Sequence, residues 1–264
     1  MTNSQQNASG QGGDNPIWAR TRIIAGDAGV ERLGNTRVFL AGLGGVGSFA
    51  AEALARAGIG HLTLADFDLV APSNINRQIV ALRSTVGRKK IEVMAERIAD
   101  INPDCHLTLL DRFLRSDEMA DLLGPGFHFH YVVDAIDSLN SKLALLEAAM
   151  ERHIPVASSM GAGGRTDPTK LHVGDLMDSD VCPLAREVRR RLRRRGLGRG
   201  ILSVWSDEKP RAPLPPEPTG SGRPRAVNGT VSYMPALFGM MLAGAVVHQL
   251  LSETCHLSPD TGLT

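Results

Sequence analysis

Gly42-Leu43-Gly44-Gly45-Val46-Gly47 is the stretch whose reading decides the fold. It directly follows the apolar run Val38-Phe39-Leu40-Ala41 and directly precedes Ser48 to Ala57, which has the composition of a helix. A strand that turns through glycines into a helix leaves bare backbone N–H groups at the positive end of the helix dipole, where a phosphate can sit. The turn alone suits several nucleotides and also a purely structural corner. The residues around it decide between these.

Upstream, Asp27–Leu33 reads as helical. Downstream, Leu62–Ala65 predicts a second strand ending at Asp66, followed by a polar loop over 68–77 and a helix over 86–101 closed by Asn102-Pro103. A third strand is expected at 107–110, a short helix capped by Ser116 at 116–123, and a fourth strand at 131–133 ending at Asp134. A helix over 138–152 and a strand over 154–158 complete the alternation. The expected class is therefore α/β, a Rossmann-like and mostly parallel sheet with helices on both faces and ligands at the carboxyl ends of the strands.

The alternation breaks after Gly161. A strand at 171–175, a very basic helix at 184–195, a Pro- and Gly-rich loop over 206–229 and an apolar return at 231–251 follow. The implied organisation is a polar tail read as disordered (1–16), a nucleotide-binding core (17–160), a substrate-facing extension (161–256) and a second tail (257–264).

Composition narrows the class further. The 264 residues suffice for a real core, and 42% hydrophobic content is ordinary for a globular protein. Three cysteines (Cys105, Cys182, Cys255) with no Cys-x-x-Cys disfavour a disulfide framework and a four-cysteine zinc site, and a reducing cytoplasm is expected. Tyr233–Leu251 is almost uncharged, but Pro235, Gly239, Gly244, His248 and Gln249 favour a buried core helix over a membrane span. Net charge is +1, yet Pro183–Arg225 holds eleven Arg and one Lys against four acids, a local +8. Such asymmetry bears on partners rather than on fold.

The chemistry begins at Asp66, twenty-four residues after Gly42, where a carboxylate is placed to accept from a ribose hydroxyl. On that evidence a nicotinamide-dependent dehydrogenase competes. Ser73-Asn74-Ile75-Asn76-Arg77-Gln78 and Lys90 tip the balance, because two fixed cations with amide donors suit a triphosphate undergoing displacement. Asp137, beyond the fourth strand, is placed to hold Mg²⁺, and Ser138 follows it. Asp134 reads as a strand-end residue holding a loop.

Gly42–Gly47, Asp66, Asn74–Gln78, Lys90 and Asp134-Ala135-Ile136-Asp137 together resemble the E1-like adenylating superfamily, of ThiF, MoeB and HesA type. The likeness covers Arg20 to about Ser159. It implies an E1-type ATP-binding fold that uses ATP and Mg²⁺ to turn a carboxylate into an acyl-adenylate. It implies that Gly42, Gly44, Gly45, Gly47 and Asp66 hold the nucleotide, with Asn74, Asn76, Gln78 and Ser138 around it. Arg77 and Lys90 would bind phosphates and, with the metal-positioning Asp137, form the catalytic set. Arg20 is similar to an N-terminal arginine that reaches into a partner's ATP site, which implies a homodimer.

The second half narrows the resemblance to the tRNA threonylcarbamoyladenosine dehydratases, through Gly161–Lys170, Asp175-Leu176, Pro183-Leu184-Ala185 and the arginine-rich helix. That family activates the side-chain carboxylate of the modified adenosine at position 37 of certain tRNAs, and the adenylate closes on itself with release of AMP. A cysteine desulfurase or sulfur-carrier partner is a further implication. Cys182 departs from the pattern by standing where an acid is usual.

Three other expectations stand beside these. Arg186, Arg189, Arg190, Arg193 and Arg194 suit a tRNA backbone, since Glu187 is the helix's one acid against seven arginines. An E1-like enzyme acting on the C-terminus of a ubiquitin-like or sulfur-carrier protein would need a nucleophilic cysteine. A non-catalytic tRNA- and ATP-binding protein is the reading from another class.

Overall fold

The computed structural model describes residues 15–124, 126–217 and 225–252. Most of the expected N-terminal tail, the 257–264 tail and the 218–224 part of the Pro-rich loop lie outside the described residues. Helix α1 (Ala19–Asn35) leads into β1 (Arg37–Ala41), α2 (Gly47–Ala57), β2 (His61–Ala65), α3 (Lys90–Ile101) and β3 (His106–Leu110). The short α4 (Met119–Leu122), β4 (Tyr131–Asp134), α5 (Leu139–Glu151) and β5 (Val156–Ser159) complete the first half. Then come β6 (Leu171–Asp175), α6 (Pro183–Arg194), β7 (Ile201–Ser206), β8 (Leu214–Glu217), β9 (Arg225–Val227) and α7 (Tyr233–Leu251).

Seven strands form one sheet in the order β3-β2-β1-β4-β5-β7-β6, parallel except that β6 runs antiparallel to β7. The chain leaves β1 in one direction and returns to place β4 on its other side, so the strand order reverses between β1 and β4. That is where an open parallel sheet has a crevice at its carboxyl edge. Alternate residues of β1 face opposite layers. Val38 and Leu40 pack with α2, α3 and α7, whereas Phe39 and Ala41 pack with α4, α5 and α6.

Several boundaries differ from the sequence expectation. α1 starts at Ala19 and is interrupted at Gly26, whose φ of 68° is open to glycine. α3 starts at Lys90 rather than 86, because 86–88 form a turn: Arg88 N–H donates to Thr85 O and Gly87 N–H to Val70 O, with Gly87 at a φ of 86°. Ser116 caps nothing. Glu118 N–H closes a turn on Arg115 O, and the helix begins only at Met119. β7 was not expected at all, and the Pro-rich loop holds the two-stranded β8–β9 sheet.

α7 is long and apolar enough to cross a membrane by length and composition. Its Met234, Phe238, Leu242, Val246 and Leu250 are instead buried in the core beside α2. The helices cross closely: a Cβ on Gly239 would lie 2.3 Å from Val46 O and 3.0 Å from Phe49 Cβ.

Candidate active site

The strand-to-helix turn is held from beneath. Leu43 N–H donates to Asp66 Oδ2 at 2.6 Å, and Asp68 N–H donates to Asp66 Oδ1 at 2.9 Å. Burial pushes the Asp66 carboxyl above its ordinary value, and the two N–H groups and the Lys90 charge only partly offset this. Gly42 adopts φ 92° and passes so near the β4 loop that a Cβ would sit 2.7 Å from Ala135 O. A Cβ on Gly47 would lie 1.7 Å from Gly42 O, so this glycine is required by the turn itself. Gly44 has nothing nearer than Gln78 Nε2 at 4.0 Å.

One cavity of about 750 Å³ opens over this turn. Gly42, Gly44, Gly45, Asp66, Asn74, Arg77, Gln78, Lys90, Asp137 and Ser138 all line it. Lys90, nearly buried, donates from Nζ to Asp68 Oδ2 at 2.8 Å. Arg77 Nη1 donates to Ser73 O at 2.8 Å and to Asn76 Oδ1 at 2.9 Å. Three other expected residues are outside the lining. Gly47 lies behind the turn, Asn76 reaches Thr230 O at 3.0 Å and steadies Arg77, and Arg20 is exposed on α1.

The donor set fits a polyphosphate nucleotide. Cations of Arg77 and Lys90 line the cavity together with a turn that has no side chain at Gly44. Among the described residues no group of three metal-ligating side chains occurs. A Mg²⁺ here would rest on the exposed Asp137 and on phosphate oxygens, the usual mode for that ion.

Sequence reasoning missed several of the residues around the cavity. Asp68 is the Lys90 partner, and Arg112 follows β3 at the cavity rim. Phe67 and Phe113 stand edge to face with centroids 5.1 Å apart on the same rim. The rule that ligands gather at strand carboxyl ends could have found Phe67 and Arg112. Arg165 belongs to the Gly161–Lys170 run that carries the family resemblance, which gives it no role of its own. Pro235 at the start of α7 would be 2.9 Å from a Cβ on Gly45, so the distant C-terminal helix buttresses the turn.

On the arginine helix, Arg186, Arg190, Arg193 and Arg194 are exposed. Glu187 takes both Arg190 and Arg191 and is held far down the carboxylate range, at about 2. Arg189 is turned inward onto the carbonyl and hydroxyl of Ser179, and Arg195 pairs with Glu147 on α5. The helix is thus less unopposed than its composition indicates. Its N-terminal end, Cys182-Pro183-Leu184, forms part of the cavity wall.

A model of the ThiF family matches residues 19–261. The tRNA threonylcarbamoyladenosine dehydratase of Bacillus subtilis is 37% identical over 89% of this chain and 95% of its own length. The crystal structure of Escherichia coli tRNA N6-threonylcarbamoyladenosine dehydratase in complex with ATP superposes with a TM-score of 0.78, at 36% identity over 89% of this chain and 93% of that one. The Escherichia coli molybdopterin-synthase adenylyltransferase is 35% identical over 58% of this chain and 59% of its own length. With the switch-point cavity, the glycine turn and these likenesses in agreement, the chain belongs to the ThiF family.

Proposed function

We propose that the protein is an ATP-dependent tRNA threonylcarbamoyladenosine dehydratase. The observation that carries this reading is the gathering of Asp66, Arg77, Lys90 and Asp137 around one cavity in a chain whose extended relatives bear that name. ATP is held at the glycine turn, with Asp66 toward the ribose and Asn74, Gln78 and Ser138 around it. Arg77 and Lys90 neutralise charge that shifts toward the leaving pyrophosphate. Asp137 would hold a Mg²⁺ ion, which would supply further charge neutralisation on the phosphates.

The substrate carboxylate attacks the α-phosphorus and pyrophosphate leaves. A nitrogen of the same threonylcarbamoyl group then attacks the activated carbonyl and gives up its proton to solvent, and AMP departs with one carboxylate oxygen. No enzyme nucleophile is needed, because the second attack is intramolecular.

In this reading the 161–256 segment is the substrate-facing extension. The exposed Arg186, Arg190, Arg193 and Arg194 take tRNA phosphates, with the inward-turned Arg189 bracing the helix. Arg20 serves the ATP site of a second copy in a homodimer. The setting is cytoplasmic, and a cysteine desulfurase or sulfur carrier is an accessory partner rather than a reactant. Modified tRNA incubated with enzyme and ATP tests the reading, through ATP-dependent loss of one water from the nucleoside.

The presence of Cys182 in the cavity wall favours one second reading, activation of a carrier protein's C-terminus. That reading requires a thioester on Cys182 and loss of turnover in Cys182→Ser. The dehydratase reading expects Cys182→Ser to remain active.

A further inference from the structure

The cavity has two ends. The glycine turn lies past β1, and Met160-Gly161 lies past β5, two strands away and so about 10 Å across the sheet. The cations expected for phosphate stand at the first end. The second end has a cation of its own that the proposed mechanism leaves unused. Arg165 is only 3% exposed and lies on the cavity wall. Its Nη1 donates to Gly161 O and to Gly163 O (3.1 Å for the latter), and its Nε donates to Glu208 O at 3.3 Å. All of these partners are neutral carbonyls. Nη2 is buried with no hydrogen-bond partner, and Arg165 forms no ion pair among the described residues.

A guanidinium removed from water ordinarily faces a carboxylate or a phosphate, because an unmatched buried charge is costly. Two independent features sit beside it. α6, twelve residues long, directs its N-terminal end at the same wall, with Cys182 at the cap position making no side-chain cap. Gly161 leaves the wall open: a Cβ there would lie 3.4 Å from Arg165 Nη1 and 3.7 Å from Cys182 Sγ.

We infer that Arg165, the bare backbone at Gly161 and the first turn of α6 form an anion subsite that takes the carboxylate of the acceptor group. A carboxylate is favoured over a nucleotide phosphate, because the phosphate cations Arg77 and Lys90 belong to the other end. The assignment of the acceptor rests on the dehydratase reading. The subsite itself rests on the wall. Arg165 is a binding residue here, and its charge sets the preference for an acid over an uncharged analogue.

The experiment compares binding of N6-threonylcarbamoyladenosine and its methyl ester by calorimetry, with N-carbamoyl-L-threonine as a small carboxylate and ATP as a control. Wild type is expected to bind the acid at least about 10-fold more tightly than the ester, as one charge-assisted contact would give. Arg165→Gln should bring that ratio close to one with ATP affinity unchanged, and Arg165→Lys should restore part of it. Gly161→Ala keeps the charge and narrows the pocket, so it covers the case in which Arg165→Gln fails to fold; it should weaken the acid and leave ATP binding intact. An acid-to-ester ratio unchanged in Arg165→Gln, or an acid affinity unchanged in Gly161→Ala, overturns the subsite, as does a loss confined to ATP affinity. If wild type binds N-carbamoyl-L-threonine through Arg165 while modified tRNA with ATP is left unconverted, the subsite stands and the dehydratase reading falls. If wild type binds no carboxylate in preference to its ester, the subsite is refuted whatever the enzyme does with tRNA.

Discussion

Lys142 Nζ lies 2.5 Å from Asp134 Oδ2, and both side chains are wholly buried at the carboxyl end of β4. Asp134 also accepts from Ser158 Oγ at 2.5 Å and from Ile136 N–H at 3.0 Å, while Lys142 donates to Ser159 O at 3.0 Å. The pair therefore ties the ends of β4 and β5 together under the loop that presents Asp137. Removing one partner strands the other charge in the core. Lys142→Met is expected to lower the unfolding free energy by about 3–5 kcal/mol, read from urea denaturation. A loss below roughly 1 kcal/mol would show that the pair is not the fastening described, since typical surface changes stay within that range.

Gly44 and Gly47 separate the two jobs of the glycine turn. Gly47→Ala places a Cβ against Gly42 O and should prevent or severely weaken folding, whereas Gly44→Ala meets only open cavity. Gly44→Ala should keep wild-type thermal stability to within about 1 kcal/mol, the helix-turn scale for such a change, yet weaken ATP binding. Thermal unfolding and ATP titration check the pair, and equal ATP affinity in Gly44→Ala and wild type would move the nucleotide away from this turn.

Arg77 and Asp137 line the cavity and neither is a core residue. Arg77→Ala and Asp137→Ala should each retain the fold and reduce pyrophosphate release by roughly 10²–10³-fold, the scale for losing one pre-placed electrostatic group. A variant that releases pyrophosphate at the wild-type rate has no place in the mechanism.

Arg186, Arg193 and Arg194 are exposed on α6, in contrast to the inward-facing Arg189. Replacing the three by Ala should weaken tRNA binding and flatten the logarithmic salt dependence by about 2–3 units, near 0.7–0.9 per lost phosphate contact. Filter binding across a salt series measures the slope. An unchanged slope would place the tRNA track on another surface.

His61 stacks on His106 with centroids 4.8 Å apart, across paired positions of β2 and β3. Burial, then His106 and then Arg37, hold the His61 imidazole below its ordinary value. The unfolded chain then binds more protons than the folded one at mildly acidic pH. This share of stability is complete above about pH 6.5 and is lost as pH falls through the lowered folded value. His61→Gln should flatten the decline in denaturation midpoint below that pH, and an identical decline in variant and wild type would contradict the assignment.

Local chemistry made the first half legible. The apolar run at 38–41, the glycines after it and Asp66 each signal their role within a few residues, and the structure joins them through the Leu43–Asp66 bond. β7 was hidden because Ile201–Ser206 follows an arginine-rich helix and Gly200, and its strand identity comes from distant pairing with β5 and β6. The true start of α3 depended on the bridge between Leu69 and Lys89. Pro235 reaches the cavity only through tertiary packing, which no local pattern reports, and Arg165 shows its burial and unpaired Nη2 only in the fold.

The central claim is tested most directly by mass spectrometry of nucleosides from threonylcarbamoyladenosine-bearing tRNA incubated with the enzyme, with and without ATP and Mg²⁺. The account predicts conversion of the modified nucleoside to a form lighter by one water, only when ATP is present, with AMP and pyrophosphate as co-products. An unchanged nucleoside, under conditions where the enzyme binds ATP, would contradict it.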